Sequence, residues 1–536
     1  MKTSIPTSLY EEHLGHGFEM MAEGDFKQSA GQFRRAIKLK PFLPDAYLAL
    51  GSLLLKRNRL NESETYTRLA LKINPNLPDA CINLGQILKE TGRLAEAEVY
   101  LRRAISLKPD QPEAYIDLGA TLMAWNRLSE AEGVFRRAVE LDPDLHEVYI
   151  NMGTILISMG SLEEAESVLR QAIELNPDSP EACTKLGIVL TEMHRLAEAE
   201  VYLLRAGELR PDCSDSAYLL AQLHFLRGQY YKGWQKYEAR FKVHHGIYMP
   251  KIRRWKGEKL TGRRILLFHE QGFGDTLQFV RYGQLVAELG GETVIWVQKP
   301  LQRLLSTSPG GFITHAGESL PPGRFDYACS LLSLPFELHA CNRLETIPRI
   351  IPYIKTSPQI AAHWRKTLAA RVSGNTRKAG VVWAGNPRHK RDNCRSIPFA
   401  MFSRLFDMDN VNWISLQTGT RSEDATAMPE KVIDFSLDLV DFAETAGVLE
   451  NLDLVITVDT AVAHLAGAMG KNTWLLLPFH PDARWQLERE DSPWYPTMRL
   501  FRQNKRNDWS EVLAGLKAAL SCRDWSVMPY FRDTTR

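Results

Sequence analysis

Leu454-Val455-Ile456-Thr457-Val458-Asp459-Thr460-Ala461-Val462-Ala463-His464-Leu465-Ala466-Gly467-Ala468-Met469-Gly470 is a short apolar run closed by Asp-Thr and followed by an alanine-rich segment. An unbroken apolar run of this length predicts a strand buried on both faces, as in a parallel sheet. The alanine-rich segment has helical spacing, so the stretch reads as strand, tight turn and helix. Such a turn leaves backbone N–H groups unpaired at the positive end of the helix dipole, which suits a phosphate. The same residues also fit a plain structural role, Asp459 as an N-cap and His464 as a hydrogen-bonded helical histidine.

Outward from that turn, strand and helix signals alternate. Strands are expected at 264–269, 293–298, 325–331, 350–354, 380–383, 412–417, 452–458 and 473–477. A glycine-rich turn, Gly272-Phe273-Gly274-Asp275, precedes a helix at 276–289, and a helix near 509–520 closes the pattern. Alternation of this kind predicts parallel sheets covered by helices on both faces. The expectation is two doubly wound, Rossmann-like domains, 263–372 and 373–525, with a cleft between them. A basic connector, 242–262, carries Lys251, Arg253, Arg254 and Lys256.

Upstream the chain repeats itself. Prolines stand at 41, 75, 109, 143, 177 and 211, a period of 34. Five residues before each is an alanine, from Ala36 to Ala206, and ten residues after the first five is a glycine, from Gly51 to Gly187. Small residues at fixed points let two helices approach closely, and the proline ends the second helix. This pattern resembles the tetratricopeptide repeat, with six copies and a degraded last hairpin in which Trp234, Tyr237 and Phe241 share a face. The resemblance implies an α-solenoid over 8–241 whose first helices line a groove for a protein or peptide. Asn83, Asp117 and Asn151 occupy one column of the frame. They fit either a polar ladder that holds an extended backbone or a merely solvated face. Similar groove asparagines are a feature of the related O-linked N-acetylglucosamine transferases. A second column, Asp45, Asp79, Glu113, Glu147 and Glu181, lies near helix starts, where the dipole explains it.

The totals narrow the classes. A net charge of +2 gives no electrostatic case for nucleic acid or an acidic membrane. Seven dispersed cysteines without a C-x-x-C pair fit reduced thiols rather than a disulfide framework or zinc site. No run of about 18 apolar residues occurs and the first twenty residues do not read as a leader, so the expectation is a cytoplasmic protein without a transmembrane segment.

The Gly272–Asp275 turn, the Asp459-Thr460…His464 turn and the segment around Trp383 together resemble the heptosyltransferase-like family, glycosyltransferase family 9. That family has the GT-B architecture. Coupled to repeats, the chain resembles bacterial tetratricopeptide-repeat glycosyltransferases, flagellin-modifying ones among them. The resemblance implies transfer of a sugar, with inversion and without a metal or other cofactor, from a nucleotide-sugar to serine or threonine hydroxyls of a protein held by the repeats. It implies that Asp459, Thr460, Ala461 and His464 line the donor phosphate site and that Asp275 is the catalytic base. Gly272 and Gly274 would let the acceptor approach the backbone. Helix capping is the competing role for Asp275, and His269 and Glu270 are competing bases. In the basic loop 386–398, Arg395 falls where the family places a phosphate-pairing lysine, with Lys390 as its rival. The loop with Trp485, Arg489, Asp491, Ser492, Trp494 and Tyr495 fits either a stacking surface or core. Two other functions remain in view: a transferase of lipopolysaccharide or polysaccharide assembly, and a non-enzymatic repeat scaffold with a degenerate transferase domain.

Overall fold

Each proline of the repeat frame stands two residues beyond the end of a helix. In the computed structural model, which describes residues 7–244, 246–340, 346–348, 350–372, 376–389, 391–419, 427–522 and 525, the chain forms two compact units, Met1–Ser216 and Ala217–Arg536. The first contains α1 (Thr7–Ala22), α2 (Phe26–Leu39), α3 (Asp45–Lys56), α4 (Leu60–Ile73), α5 (Pro78–Glu90), α6 (Leu94–Leu107), α7 (Pro112–Ala124), α8 (Leu128–Leu141), α9 (His146–Met159), α10 (Leu162–Leu175), α11 (Pro180–Glu192) and α12 (Leu196–Leu209). Pro41, Pro75, Pro109, Pro143, Pro177 and Pro211 follow the even-numbered helices, since a proline ring cannot continue a helix and turns its predecessor away from the helical region.

The frame alanines 36, 70, 104, 138, 172 and 206 are all buried. At Gly85, Gly119, Gly153 and Gly187 a β-carbon would lie 2.5 to 2.6 Å from the side chain of Leu101, Phe135, Leu169 or Leu203, so only glycine lets the two helices of these hairpins close. Odd-numbered helices lie against the next odd-numbered helix, whereas successive even-numbered helices approach less. The closer-set row is the inside of the curve, so α3, α5, α7, α9 and α11 line the concave face.

On the even-numbered row a carboxylate recurs between two arginines. Glu64 accepts from Arg68 and Arg93, both at 2.8 Å. Glu98 accepts from Arg102 at 2.8 Å and Arg127 at 2.7 Å, and Glu166 from Arg170 at 2.9 Å and Arg195 at 2.6 Å. Burial raises these carboxyls, but the paired arginines outweigh it and hold all three below the usual carboxylate range. At the intervening rung Glu132 accepts from Arg136, and Ser161 stands in the place of the second arginine.

The second unit begins within α13 (Ser214–Leu226) and continues through α14 (Tyr230–Tyr237) and α15 (Arg240–Val243). Trp234 meets the rings of Phe279 and Trp494, so this last hairpin is docked on the α/β part of its own unit, as its aromatic face suggests. One sheet has the order β3 (Ile313–Ala316), β2 (Glu292–Val297), β1 (Arg264–Phe268), β4 (Tyr327–Ser330). The other has the order β10 (Met498–Arg502), β9 (Thr473–Leu477), β8 (Leu454–Val458), β5 (Arg377–Val382), β6 (Val411–Ser415), β7 (Ile433–Asp434). Every ladder between these strands is parallel. Counted from its own first strand, the larger sheet runs 6-5-4-1-2-3, the doubly wound order, and the smaller runs 3-2-1-4. Each therefore reverses direction once, between β1 and β4 and between β5 and β8. Trp383, Ile456, Val458, Trp474 and Leu476 fill the core of the larger sheet.

Segment 350–354 is not the expected strand. It is irregular chain whose Tyr353 N–H donates to the Ala468 carbonyl at 3.1 Å. β3, β7 and β10 are strands that the sequence pattern did not suggest. Residues 373–375 and Cys341 lie outside the described residues. The other six cysteines are free thiols, and no described helix is long and apolar enough to cross a membrane.

Candidate functional site

The carboxyl end of a parallel strand is where a doubly wound sheet presents its loops to a ligand. β8 ends at Val458, Thr460 is extended, and the helix Ala461–Ala468 starts at once. Thr457 donates its hydroxyl to the Val458 carbonyl at 2.7 Å, so in the 3.1 Å contact between the two threonine hydroxyls Thr460 is the donor. Its proton is directed at Thr457, which leaves the first backbone N–H groups of the helix as the donors at this turn.

Arg395, from the loop after β5, donates to the Asp459 carbonyl at 3.0 Å and to Asp392 at 3.2 Å. The structure thus brings Arg395 to the Asp459 turn. Lys390 lies outside the described residues.

His464 is buried, stacks on Trp485 with ring centroids 5.3 Å apart, and has Nδ1 2.9 Å from the Tyr495 hydroxyl. Desolvation, aided by the Arg484 charge, pushes its pKa well below the ordinary histidine value, so the ring is neutral. Nε2 lies 3.4 Å from Arg484 Nη1 and 3.9 Å from Asp459 Oδ1.

The helix after β1, Phe273–Phe279, starts inside the expected glycine turn, with Gly272 as its N-cap, and arrives at the same place. A β-carbon on Gly274 would stand 2.7 Å from His464 Cδ2, so glycine is what allows the two helix starts to touch. Asp275 is engaged twice. Its Oδ2 accepts the Gly272 N–H at 3.0 Å, which is the capping role, and its Oδ1 accepts Arg484 Nη2 at 2.8 Å. The two competing bases are placed differently. Glu270 is fully buried against Arg240, and His269 is half-buried, its pKa lowered by desolvation.

Arg484, in the loop after β9, ties the site together and was not foreseen. It donates through Nε to Asp482 at 2.8 Å, through Nη1 to Gln278 at 2.7 Å, and through Nη2 to Asp275. Crowding by the loop raises the Asp482 carboxyl, which is itself exposed, and the Arg484 guanidinium beside it outweighs that and holds it below the ordinary carboxylate range. Asp459 is pushed up to about 6 by desolvation and by the nearby Asp482 charge. The signal available in the sequence was position alone: Asp482 and Arg484 follow a strand end, as the expected residues do. The aromatics of this loop proved to be core, with Trp485, Trp494 and Tyr495 all buried.

In the repeat unit, Asn83, Asp117 and Asn151 lie on α5, α7 and α9, the concave row. Asn83 donates to the Ser52 hydroxyl at 2.7 Å, and Gln86 donates to Asp117 at 2.6 Å. Two of the three thus belong to a ladder between successive first helices. At Asn151 the residue in the place of Gln86 is Ala120, which has no polar group to offer.

Family models described as tetratricopeptide repeat match residues 20–78, 88–150 and 156–223. Protein FlbA of Caulobacter vibrioides is 26% identical over 345 residues, covering 58% of this chain and 56% of FlbA. The chain therefore spans about half the length of that curated relative. Among solved structures, Pseudomonas aeruginosa pilF aligns with a TM-score of 0.37 at 18% identity, covering 40% of this chain and 98% of the other. YrrB, described as a TPR protein with an unusual peptide-binding site, aligns with a TM-score of 0.30 at 22% identity, covering 35% and 96%.

Proposed function

We propose that the second unit is a glycosyltransferase of the GT-B kind. It uses a nucleotide-sugar, and the repeat unit holds a protein whose serine or threonine hydroxyl receives the sugar. One observation carries this reading. Helix starts at the reversal points of two separate doubly wound sheets meet, through the Gly274–His464 contact and the Asp275–Arg484 ion pair.

The chemistry rests on the groups present. The acceptor oxygen bonds to the anomeric carbon as the carbon–oxygen bond to phosphate breaks, and the bonding pair leaves with the phosphate. The helix start at Ala461, with Arg395 and Arg484, supplies positive charge where that negative charge develops. These groups meet the need without a metal. A phosphate drawn to Arg484 competes with Asp275 for the guanidinium and so frees a carboxylate oxygen to take the acceptor proton. Attack on the side opposite the leaving group inverts the anomeric centre.

In the repeat unit, the Asn83 amide oxygen and the Asn151 side chain face the concave row, where an extended backbone could bond to them. A second reading, a repeat scaffold with an inactive transferase fold, is favoured by the double engagement of Asp275. An acceptor on lipopolysaccharide or polysaccharide is the third.

The deciding experiment incubates the full chain with UDP-, GDP-, ADP- and CMP-linked sugars and candidate acceptors, flagellin included, and follows intact mass. A sugar-sized shift is expected on one acceptor, slowed by about 10²- to 10⁴-fold in Asp275→Asn. Transfer at full rate by that variant removes Asp275 from the mechanism. Donor turnover without any protein shift favours the carbohydrate acceptor.

A further inference from the structure

At three rungs of the even-numbered row a glutamate, the fifth residue of α4, α6 or α10, is clasped by two arginines. The first rung keeps both arginines and lacks the glutamate. The fifth residue of α2 is Ala30. Arg34 follows it by four, as Arg68 follows Glu64, and Arg59 directly precedes α4, as Arg93 precedes α6. Arg59 pairs through Nε with Glu62 at 2.7 Å, just as Arg93 pairs with Glu96 at 2.8 Å. The Nη1 group that Arg93 gives to Glu64 has no counterpart carboxylate at Arg59 among the described residues.

This place is hollow. Ala30, Arg34 and Arg59 line an open cavity of about 450 Å³, with Lys27 and Arg57 also on its wall. Asp25 is the carboxylate in that lining, and it is already committed to capping α2 through the Gln28 N–H at 3.0 Å. Arg57 lies over the Phe26 ring at 5.3 Å, which steadies its guanidinium beside the opening. Four cationic side chains therefore line a space whose register in the neighbouring repeats is filled by a carboxylate.

We propose that this cavity is a carboxylate-binding site that takes a glutamate or aspartate side chain of an extended protein segment. The incoming group completes the arginine clasp that Glu64, Glu98 and Glu166 complete from within. A planar carboxylate matches two guanidinium groups set by the same backbone register, and it needs no further donor. The site lies in the repeat unit and stands whether or not the second unit transfers sugar.

The test uses the full chain and a fluorescein-labelled tetraglutamate peptide at about 50 mM salt, where exposed charge is weakly screened. Its tetraglutamine counterpart is the control, and inorganic phosphate is the competitor. Saturable binding of tetraglutamate alone is expected. Ala30→Glu, which supplies the carboxylate internally, should weaken it at least tenfold and raise the melting temperature of the repeat unit. Arg34→Gln and Arg59→Gln, each removing one side of the clasp, should weaken it similarly and keep the test open if Ala30→Glu folds poorly. Equal binding by all variants, or none by the wild type, overturns the proposal. Displacement of the peptide by sub-millimolar phosphate overturns the carboxylate assignment in favour of a phosphate site.

Discussion

Asp117 shows how far a single side chain can depart from its sequence context. On the concave row it is 8% exposed, and it carries a carboxyl that desolvation pushes up to about 6 despite the Gln86 hydrogen bond. The unfolded chain releases this proton near pH 3.8, whereas the folded chain holds it to about pH 6. The folded state therefore binds more protons in that window, and stability falls as pH rises through it. Asp117→Asn keeps an acceptor for Gln86 and removes the titration. It should melt with the wild type near pH 3.5 and be the more stable protein at pH 7.5, by about 1–3 kcal/mol. Thermal melts at the two pH values check this, and a difference independent of pH refutes it. The column to which Asp117 belongs was visible in the sequence. Its burial was not, because that depends on the spacing of successive first helices.

At the scale of elements, the second unit is joined to its leading hairpin by charge. Arg240, on α15, is fully buried and donates to Glu270 at 2.9 Å, Glu238 at 2.7 Å and Ser333 at 2.8 Å. Arg254 of the connector reaches Glu238 and also Glu337, at 2.6 Å. Cutting such a network at one member strands the others. Arg240→Met should cost the second unit about 3–5 kcal/mol, and pairing it with Glu270→Leu should recover much of that loss. Urea unfolding of the two variants decides the matter, and an equal loss in both would mean that packing rather than charge is responsible. The sequence showed the connector as a run of cations. It could not show that Arg254 is neutralised by a residue 83 positions away. The same limit explains the strands. Segments 264–268 and 454–458 are buried on both faces and announce themselves as apolar runs, while β7 has two residues and β3 has no fully buried residue. Segment 350–354 has the apolar content of a strand but spends a backbone donor on Ala468 instead of on a neighbouring strand.

For the molecule as a whole, the repeat unit was legible because its periodicity restates one set of contacts six times, and any one copy confirms the others. The candidate site was legible in part, because Asp275, Arg395, Asp459 and His464 follow strands whose patterns are strong. Asp482 and Arg484 have no pattern of their own and are found only once the strands are placed. A stack in which each hairpin touches only its neighbours has a further property: its cooperativity is local, the sum of one coupling per junction. The first rung, where Ala30 leaves no clasp, frays only the terminal hairpin; among the interior junctions the one at Ser161 lacks the second arginine that Glu64, Glu98 and Glu166 each receive, a loss of about 0.3–1 kcal/mol for a surface pair. In a linear lattice the weakest bond is where domain walls collect. Native-state hydrogen exchange should therefore divide this unit into two blocks meeting between α8 and α10, with amides there opening at lower free energy than those around α6, and high salt should narrow the difference. One arginine-to-serine exchange at a single helix cap would then act as a perforation, the line along which the interior of the array parts first.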